Sequence, residues 1–388
     1  MNAIVAKESL NVSGNPMKFV IERAQLLKAL GHLQSVVEKR GTIAVLANVK
    51  IDAQGDSVAM TATDMDIAIV EKITATVERN GSTTVPAQTL YDIVRKLPDG
   101  AQVEITESDD NSKVSIRSGQ SRFSLACLPV EEFPVMAEGD LDFSFTLKAA
   151  ECQALIEKPS FAMSNEETRY YLNGIYFHTA TSNDGKVLRG VATDGHRLAR
   201  IEVAQPAGAE GMPGVIVPRK AIYELKKLLS EGAGDVGISL SETKIKFVVG
   251  NAVLVSKLID GNFPDYERVI PLGNDKLLEI DCKLFAQAVD RVSVISNEKT
   301  RAIKLSVDAG KLTLSATSSE HGNATEEVEA TYSATPIEIG FNSRYLLEML
   351  SNIEGDTTQF LLNDGASPAV VRDTADVGAL YVIMPMRV

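Results

Sequence analysis

The stretch that decides the fold is "RGVATDGHRLARIEV", residues 189–203, because its centre is written a second time as "AMTATDMDIAIV" at residues 59–70. In both, an apolar run ends on Ala-Thr-Asp and a new one begins within four residues. Two strands joined by a tight turn are expected there, with Thr and Asp side chains satisfying turn amides and Gly195 allowing a positive φ. The flanks repeat as well. "KFVIERAQLLKALGHL" (18–33) answers to "FTLKAAECQALIEKP" (145–159), "TTVPAQTLYDIVRKL" (83–97) to "VIVPRKAIYELKKLL" (215–229), and "FSLACLPVEEFP" (123–134) to "LVSKLIDGNFPDY" (254–266). A third, more diverged copy starts near Leu278 with "LEIDCKLFAQAVDRV", passes "SATSS" at 315–319 and "IGFNSRYLLEMLSNI" at 339–353, and ends on "YVIMPMRV". The period, near 130 residues, makes this an array of three related units.

Each unit carries two helical patterns among strand-like runs. Over 23–39 the apolar set Leu26, Leu27, Leu30, Leu33 and Val37 recurs at helical spacing. "KVSIRSGQSRFSLACL" and "KIKFVVGNAVLVSKLI" read as hairpins turning on a glycine. Pro86 and Pro218 each precede a helix, where proline is tolerated. The fold class that follows is α+β, helices layered against antiparallel sheet, three times over.

A chain of 388 residues with 44% hydrophobic and 23% charged residues is an ordinary globular composition with room for several cores. No apolar run reaches membrane-helix length and residues 1–16 do not read as a signal peptide, so a cytoplasmic protein is expected. Cys127, Cys152 and Cys282 share no CxxC spacing, which predicts small buried hydrophobes and neither a metal site nor a disulfide framework. No cofactor motif is present.

The net charge of −13 argues against a general nucleic-acid binder, yet the six helical segments (23–40, 86–97, 148–158, 218–230, 283–295 and 343–353) together carry +8, leaving −21 elsewhere. Charged residues solubilise helices in any protein. If equivalent helices share one space, the same bias offers a basic surface to a phosphate backbone while the exterior repels it.

"TDGH" also permits a catalytic reading, with Asp194 orienting His196 as a base towards Thr193. Nothing else completes such a hydrolase site, and no enzyme is expected. A third possibility is a repeat scaffold that binds no DNA, which would be an extended monomer.

With the repeats and helical charge in view, the sequence closely resembles the bacterial DNA polymerase III β-subunit family, the β sliding clamps. The motifs that carry the resemblance are "RYYLNG" (169–174), "ATDGHRLA" (192–199), "VIVPRK" (215–220), "SKLIDGNFPDY" (256–266), "SNEKTR" (296–301) and "MPMR" (384–387), and it covers Met17 to Val388. It implies an N-terminal extension at 1–16 and clamp domains at 17–137, 145–270 and 277–388. Two chains would join head to tail as a homodimeric ring, helices lining the lumen and sheets outside, with double-stranded DNA passing through whatever its sequence.

The resemblance further implies a peptide-binding groove between the second and third domains. One wall would hold Thr193, Gly195, His196, Arg197 and Leu198. Leu172, Pro264, Arg268 and Val269 would extend it, and Val382, Met384, Pro385, Met386 and Arg387 of the tail would close it. Its occupants would be short peptides, commonly with a glutamine and a hydrophobic end, from the DNA polymerase III catalytic subunit, the clamp loader and other replication and repair proteins. Adaptable methionines and the aliphatic stems of arginines suit unlike peptides. The dimer interface would set Arg122, Phe123 and Leu125 against Val294 and Ile295 of the second copy, although Phe123 and Leu125 also read as plain strand residues. Lys28, Arg40, Arg219 and Lys220, with Tyr170 and Tyr171, are the candidate DNA contacts. No P-loop is present, so ring opening would fall to an external ATP-driven loader.

Overall fold

The computed structural model describes residues 16–38, 41–137, 139–183, 185–231 and 234–388. Its contacts divide into two compact units, one formed by residues up to Leu141 with Tyr223–Ser239 and Lys244–Lys257, the other by Asp142–Ile222, Leu240–Thr243 and Leu258–Val388.

Among the described residues six α-helices stand at the expected places: α1 Arg23–Leu33, α2 Ala87–Lys96, α3 Ala149–Ser160, α4 Arg219–Leu229, α5 Cys282–Ser293 and α6 Ser343–Leu350. None is long and apolar enough to cross a membrane. Helix α1 ends earlier than its periodicity predicts. The chain turns at Gln34, and the Ser35 hydroxyl stands 2.7 Å from Glu224 Oε2 and 3.0 Å from His32 O, with one proton to share between these two acceptors, a side-chain alternative to another helical turn. Val37 is buried all the same, beyond the helix end.

In the first unit one antiparallel sheet runs in the order 76–79, 18–22, 102–107, 113–118, 121–126, so strand 121–126 is an outer edge. The second sheet continues from one repeat into the next: strand 67–74 pairs with 252–257, Glu71 opposite Ala252 and Ile67 opposite Ser256. The second unit is built alike. Its larger sheet runs 215–218, 174–182, 185–193, 197–204, 379–383, 369–373, 357–362, 276–281, and its smaller one 322–329, 311–318, 302–308, 337–342. Arg197 faces Ile383 and Ile201 faces Ala379, so the second and third repeats share a ladder of main-chain hydrogen bonds.

The repeated turn has the predicted chemistry. Thr193 Oγ1 donates to Arg197 O at 2.7 Å and accepts from Gly195 N at 3.1 Å, while Asp194 Oδ1 accepts from His196 N at 2.9 Å and Arg197 N at 3.1 Å. Thr63 and Asp64 make the same bonds to Ile67 O and to the amides of Met65, Asp66 and Ile67. Gly195 has φ +87, and Met65 at the matching position is forced to φ 75. Cys152 and Cys282 are buried and free, the Cys152 thiol pushed by burial up to about 12; Cys127 is free but only half-buried, at a sheet margin where Thr83 meets its sulfur at 3.4 Å.

Candidate binding groove and surfaces

The shared ladder of the second unit lies over an apolar cluster. Val191, Leu198 and Tyr266 come from the second repeat and Val370, Leu380 and Val382 from the third, with Tyr176, Phe263, Ile270 and Leu361 packed against them and only partly buried. Strand alternation sends Leu198 and Val382 into this cluster, while Ala199, Tyr381 and Ile383 beside them are buried on the opposite face of the sheet.

Above it the turn and the tail meet. Met384 N donates to His196 O at 2.9 Å, and Met386 N donates to Gly340 O at 2.8 Å, so the tail crosses from the large sheet to the small one. Met384 is 40% exposed, Pro385 and Met386 half-buried, and His196 and Arg387 exposed. A hydrophobic side chain kept at the surface by two main-chain anchors is available to a ligand. Leu172 is buried at the end of the 3-10 turn Glu167–Leu172, and Arg169 of that turn lays its guanidinium over Gly195, where a Cβ would stand 2.7 Å from it. Pro264, Arg268 and Val269 are exposed on the segment whose Phe263, Tyr266 and Ile270 pack on the cluster, and Arg268 pairs with Asp265 at 2.7 Å. Of the sequence-derived groove residues, Leu198 and Val382 lie in one apolar cluster, and Pro264, Arg268 and Val269 ride on the segment packed against it.

Arg197 takes a more interior place than a rim residue. Its side chain is 10% exposed, bonds Asp194 Oδ2 at 3.1 Å and Phe161 O at 2.6 Å, and pairs with Glu348 of α6. Its guanidinium lies over the rings of Phe161 and Tyr345, 5.1 and 4.3 Å from their centroids, and His196 stacks on the same Tyr345 at 6.1 Å. Burial would push the Glu348 carboxyl up, but its bonds to Arg344 and Arg197 hold it below the usual range. Phe161, Tyr345, Glu348, Tyr176 and Phe263 were not legible as site residues, since their partners lie far away in the chain.

These contacts dispose of the catalytic reading. Asp194 spends both oxygens on turn amides and Arg197, Thr193 is committed to the turn, and the His196 ring lies against Tyr345. No Asp-His-Thr relay forms.

Arg122, Phe123 and Leu125 sit on edge strand 121–126, where Arg122 is exposed and Phe123 is 36% exposed. In the other unit Val294 caps α5 at 76% exposure, Ile295 follows half-buried, and α5 packs beneath the outer strand 322–329.

Of the DNA candidates, Arg40 lies outside the described residues. Lys28 is half-exposed but held by Glu231 at 2.6 Å, and that hydrogen bond raises its pKa. Lys220 is exposed near the start of α4. Arg219 buries Nε and Nη2 without a hydrogen-bond partner, and its amide bonds Asn173 O at 3.0 Å. Tyr170, 52% exposed, meets Tyr171 edge to face at 5.8 Å. Much of the helical positive charge is spent locally: Arg23 on Asp99, Lys158 on Asp376 and Glu354, Arg291 on Glu326, Lys227 on Glu224. Formal charge on helices therefore overstates what a phosphate would meet.

Comparison with known proteins agrees with this architecture. Three family profiles match in order: the N-terminal domain of the DNA polymerase III beta subunit at residues 17–137, the central domain at 146–265 and the C-terminal domain at 267–387. The beta sliding clamp of Caulobacter vibrioides is 50% identical over 372 residues, 96% of this chain and all of the relative, and that of Escherichia coli K12 is 38% identical over 374 residues with the same shares. Among solved structures, a Bartonella birtlesii DNA polymerase III subunit beta sliding clamp bound to griselimycin superposes with TM-score 0.92 at 50% identity, covering 96% of this chain and all of that one. A Pseudomonas aeruginosa sliding clamp, also bound to griselimycin, gives 0.91 at 39% identity, covering 97% and 100%. This chain belongs to the DNA polymerase III beta subunit family, the beta sliding clamps.

Proposed function

We propose that the chain works as a homodimeric ring around duplex DNA and tethers its partners through the groove over Leu198 and Val382. The observation that carries this reading is the pair of outer strands, 121–126 in one unit and 322–329 in the other, within a family of sliding clamps. An outer strand presents unpaired amides and carbonyls, a template for pairing with a second chain. Their charges differ in sign: Arg122 faces Arg117 on the adjacent strand, whereas 322–329 carries exposed Glu329 beside Glu326 and Glu327, which pair with Arg291 and Lys311. Two such joints related by a twofold close a ring and leave no edge for further growth.

The work done is topological. A closed ring stays on a long duplex without tight contacts, so DNA binding can be weak and sequence-independent, governed by phosphate contacts. No bond is made or broken by the clamp. In the groove, exposed Met384 and half-buried Met386 adapt to differing hydrophobic peptide ends, and the polar turn at His196 forms the rim. The griselimycin-bound relatives support a ligand groove in this family. Partners of this kind, the polymerase catalytic subunit, the loader and repair proteins among them, would exchange at affinities on the order of micromolar, about −8 kcal/mol.

Small-angle X-ray scattering with mass determination tests the assembly: a hollow particle of two chains supports it. An elongated monomer would favour a repeat scaffold that binds no DNA.

A further inference from the structure

Three groove residues, Pro264, Arg268 and Val269, ride on a segment whose only regular structure is the short turn Tyr266–Val269. Something beneath must hold it. Phe263 stacks on Tyr176 at 4.8 Å with the rings 6° apart, and Tyr176 stacks in turn on His178 at 4.7 Å. Tyr266 is buried with its hydroxyl 2.9 Å from Arg189 Nη1 and 2.9 Å from His178 Nε2. Arg189, 6% exposed, also bonds Glu202 at 2.7 Å and Glu267, the next residue of the segment, at 2.5 Å.

The direction of these bonds follows from their ends. His178 Nδ1 lies 3.0 Å from Thr179 O, which can only accept, so Nδ1 carries the proton and Nε2 of the neutral ring presents its lone pair. Tyr266 O–H therefore donates to His178 and accepts from Arg189. The chain runs Arg189 to Tyr266 to His178 to the backbone, with each group satisfied.

We infer that Arg189, acting through Tyr266 and His178, is the positioning residue for the groove wall that bears Pro264, Arg268 and Val269, and that the wall is held in place only while His178 is neutral. The inference rests on the groove reading above and adds what fixes its geometry and makes it responsive to pH. Around His178 stand Arg189 from strand 185–193, Glu202 from strand 197–204, Tyr266 and Glu267 from the segment, and Tyr176 on its own strand. An imidazolium would turn an N–H onto the Tyr266 hydroxyl, deprive it of its acceptor, and set a second cation beside Arg189, whose charge Glu202 and Glu267 already share. Burial already pushes the His178 pKa below its ordinary value.

The test uses the full-length chain and a fluorescein-labelled synthetic peptide with an internal glutamine, a Leu-Phe end and no titratable side chain, followed by anisotropy from pH 8 to pH 5. Tyr266→Phe and Arg189→Gln are expected to weaken binding about tenfold at pH 7.5, the scale of one hydrogen bond in a buried charged network. Wild-type affinity should fall further as pH drops below 6, and Tyr266→Phe should lose that part of the profile; His196, common to both, cancels in the difference. A purely structural role would lower stability without moving the profile. If Arg189→Gln does not fold, Tyr266→Phe, which removes one oxygen atom, decides. Tyr266→Phe with wild-type affinity and an unchanged profile overturns the inference alone, whereas a wild type that never binds the peptide overturns the groove reading with it.

Discussion

Replacing Arg197 by Met removes the guanidinium that joins the turn at 194–197 to α6 while keeping an apolar stem of similar length between Phe161 and Tyr345. Three charged or carbonyl partners lose their donor: Asp194, Glu348 and Phe161 O. Breaking a buried ion pair from one side costs about 3–5 kcal/mol. Here the loss is smaller, because Glu348 is 30% exposed and keeps Arg344 at 2.7 Å, and Asp194 keeps two turn amides. A destabilisation of about 2–3 kcal/mol follows. Arg197→Ala should cost roughly 1 kcal/mol more by stripping the stem and the cation–π contacts. The chain has no tryptophan, so unfolding in urea is best followed by circular dichroism and tyrosine fluorescence, with amide exchange at α6 to place the effect. A double-mutant cycle with Glu348→Gln should return a coupling of at least about 1 kcal/mol. Strict additivity of the two changes would refute the argument that Arg197 is a structural tie.

Other consequences are independent of that one. His32 is buried between Glu71 at 2.7 Å and Glu231 at 2.9 Å; burial lowers its pKa, but the two carboxylates outweigh it and raise the value. Its stabilising contribution is thus complete below the unfolded value of about 6.5 and is lost as pH rises through the raised pKa, so urea midpoints should decline across that window and stop declining in His32→Gln. Met384→Ala with Met386→Ala should weaken peptide binding at least tenfold in calorimetry while the dimer mass stays unchanged, each truncation removing roughly 1 kcal/mol or more of contact. Val294→Ala with Ile295→Ala should shift sedimentation towards monomer, and an unaltered dimer would remove these residues from the joint. Lys220→Ala should reduce the slope of log affinity for duplex DNA against log salt by about one, equally for any sequence.

What the sequence made legible was local or repeated. The Ala-Thr-Asp turn was readable because Thr and Asp bond amides two to four residues away, and the same bonds at 63–67 and 193–197 confirm one chemistry in two copies. The hairpins turning at Gly119 and Gly250 were readable for the same reason, each glycine at φ +56. The pairing of 197–201 with 379–383 was not, since nothing local sets the register of strands so far apart in sequence. Charge was the least legible property. Lys158 finds Asp376 across 218 residues, and His32 finds Glu231 across 199, so polar side chains of the helical segments are tied into the structure by partners far away in sequence. Arg197 shows the same limit: its motif made it a candidate groove residue, but only the fold reveals that it ties the turn at 194–197 to Phe161 and Glu348.

The claim that matters most is encirclement. The direct measurement is retention on DNA after loading by an ATP-driven clamp loader onto a nicked circular plasmid, followed by gel filtration in high salt, with and without a single restriction cut. A ring should remain with the circle and leave within the separation once the DNA is linear. Equal retention on circular and linear DNA, or release from both, would contradict the account.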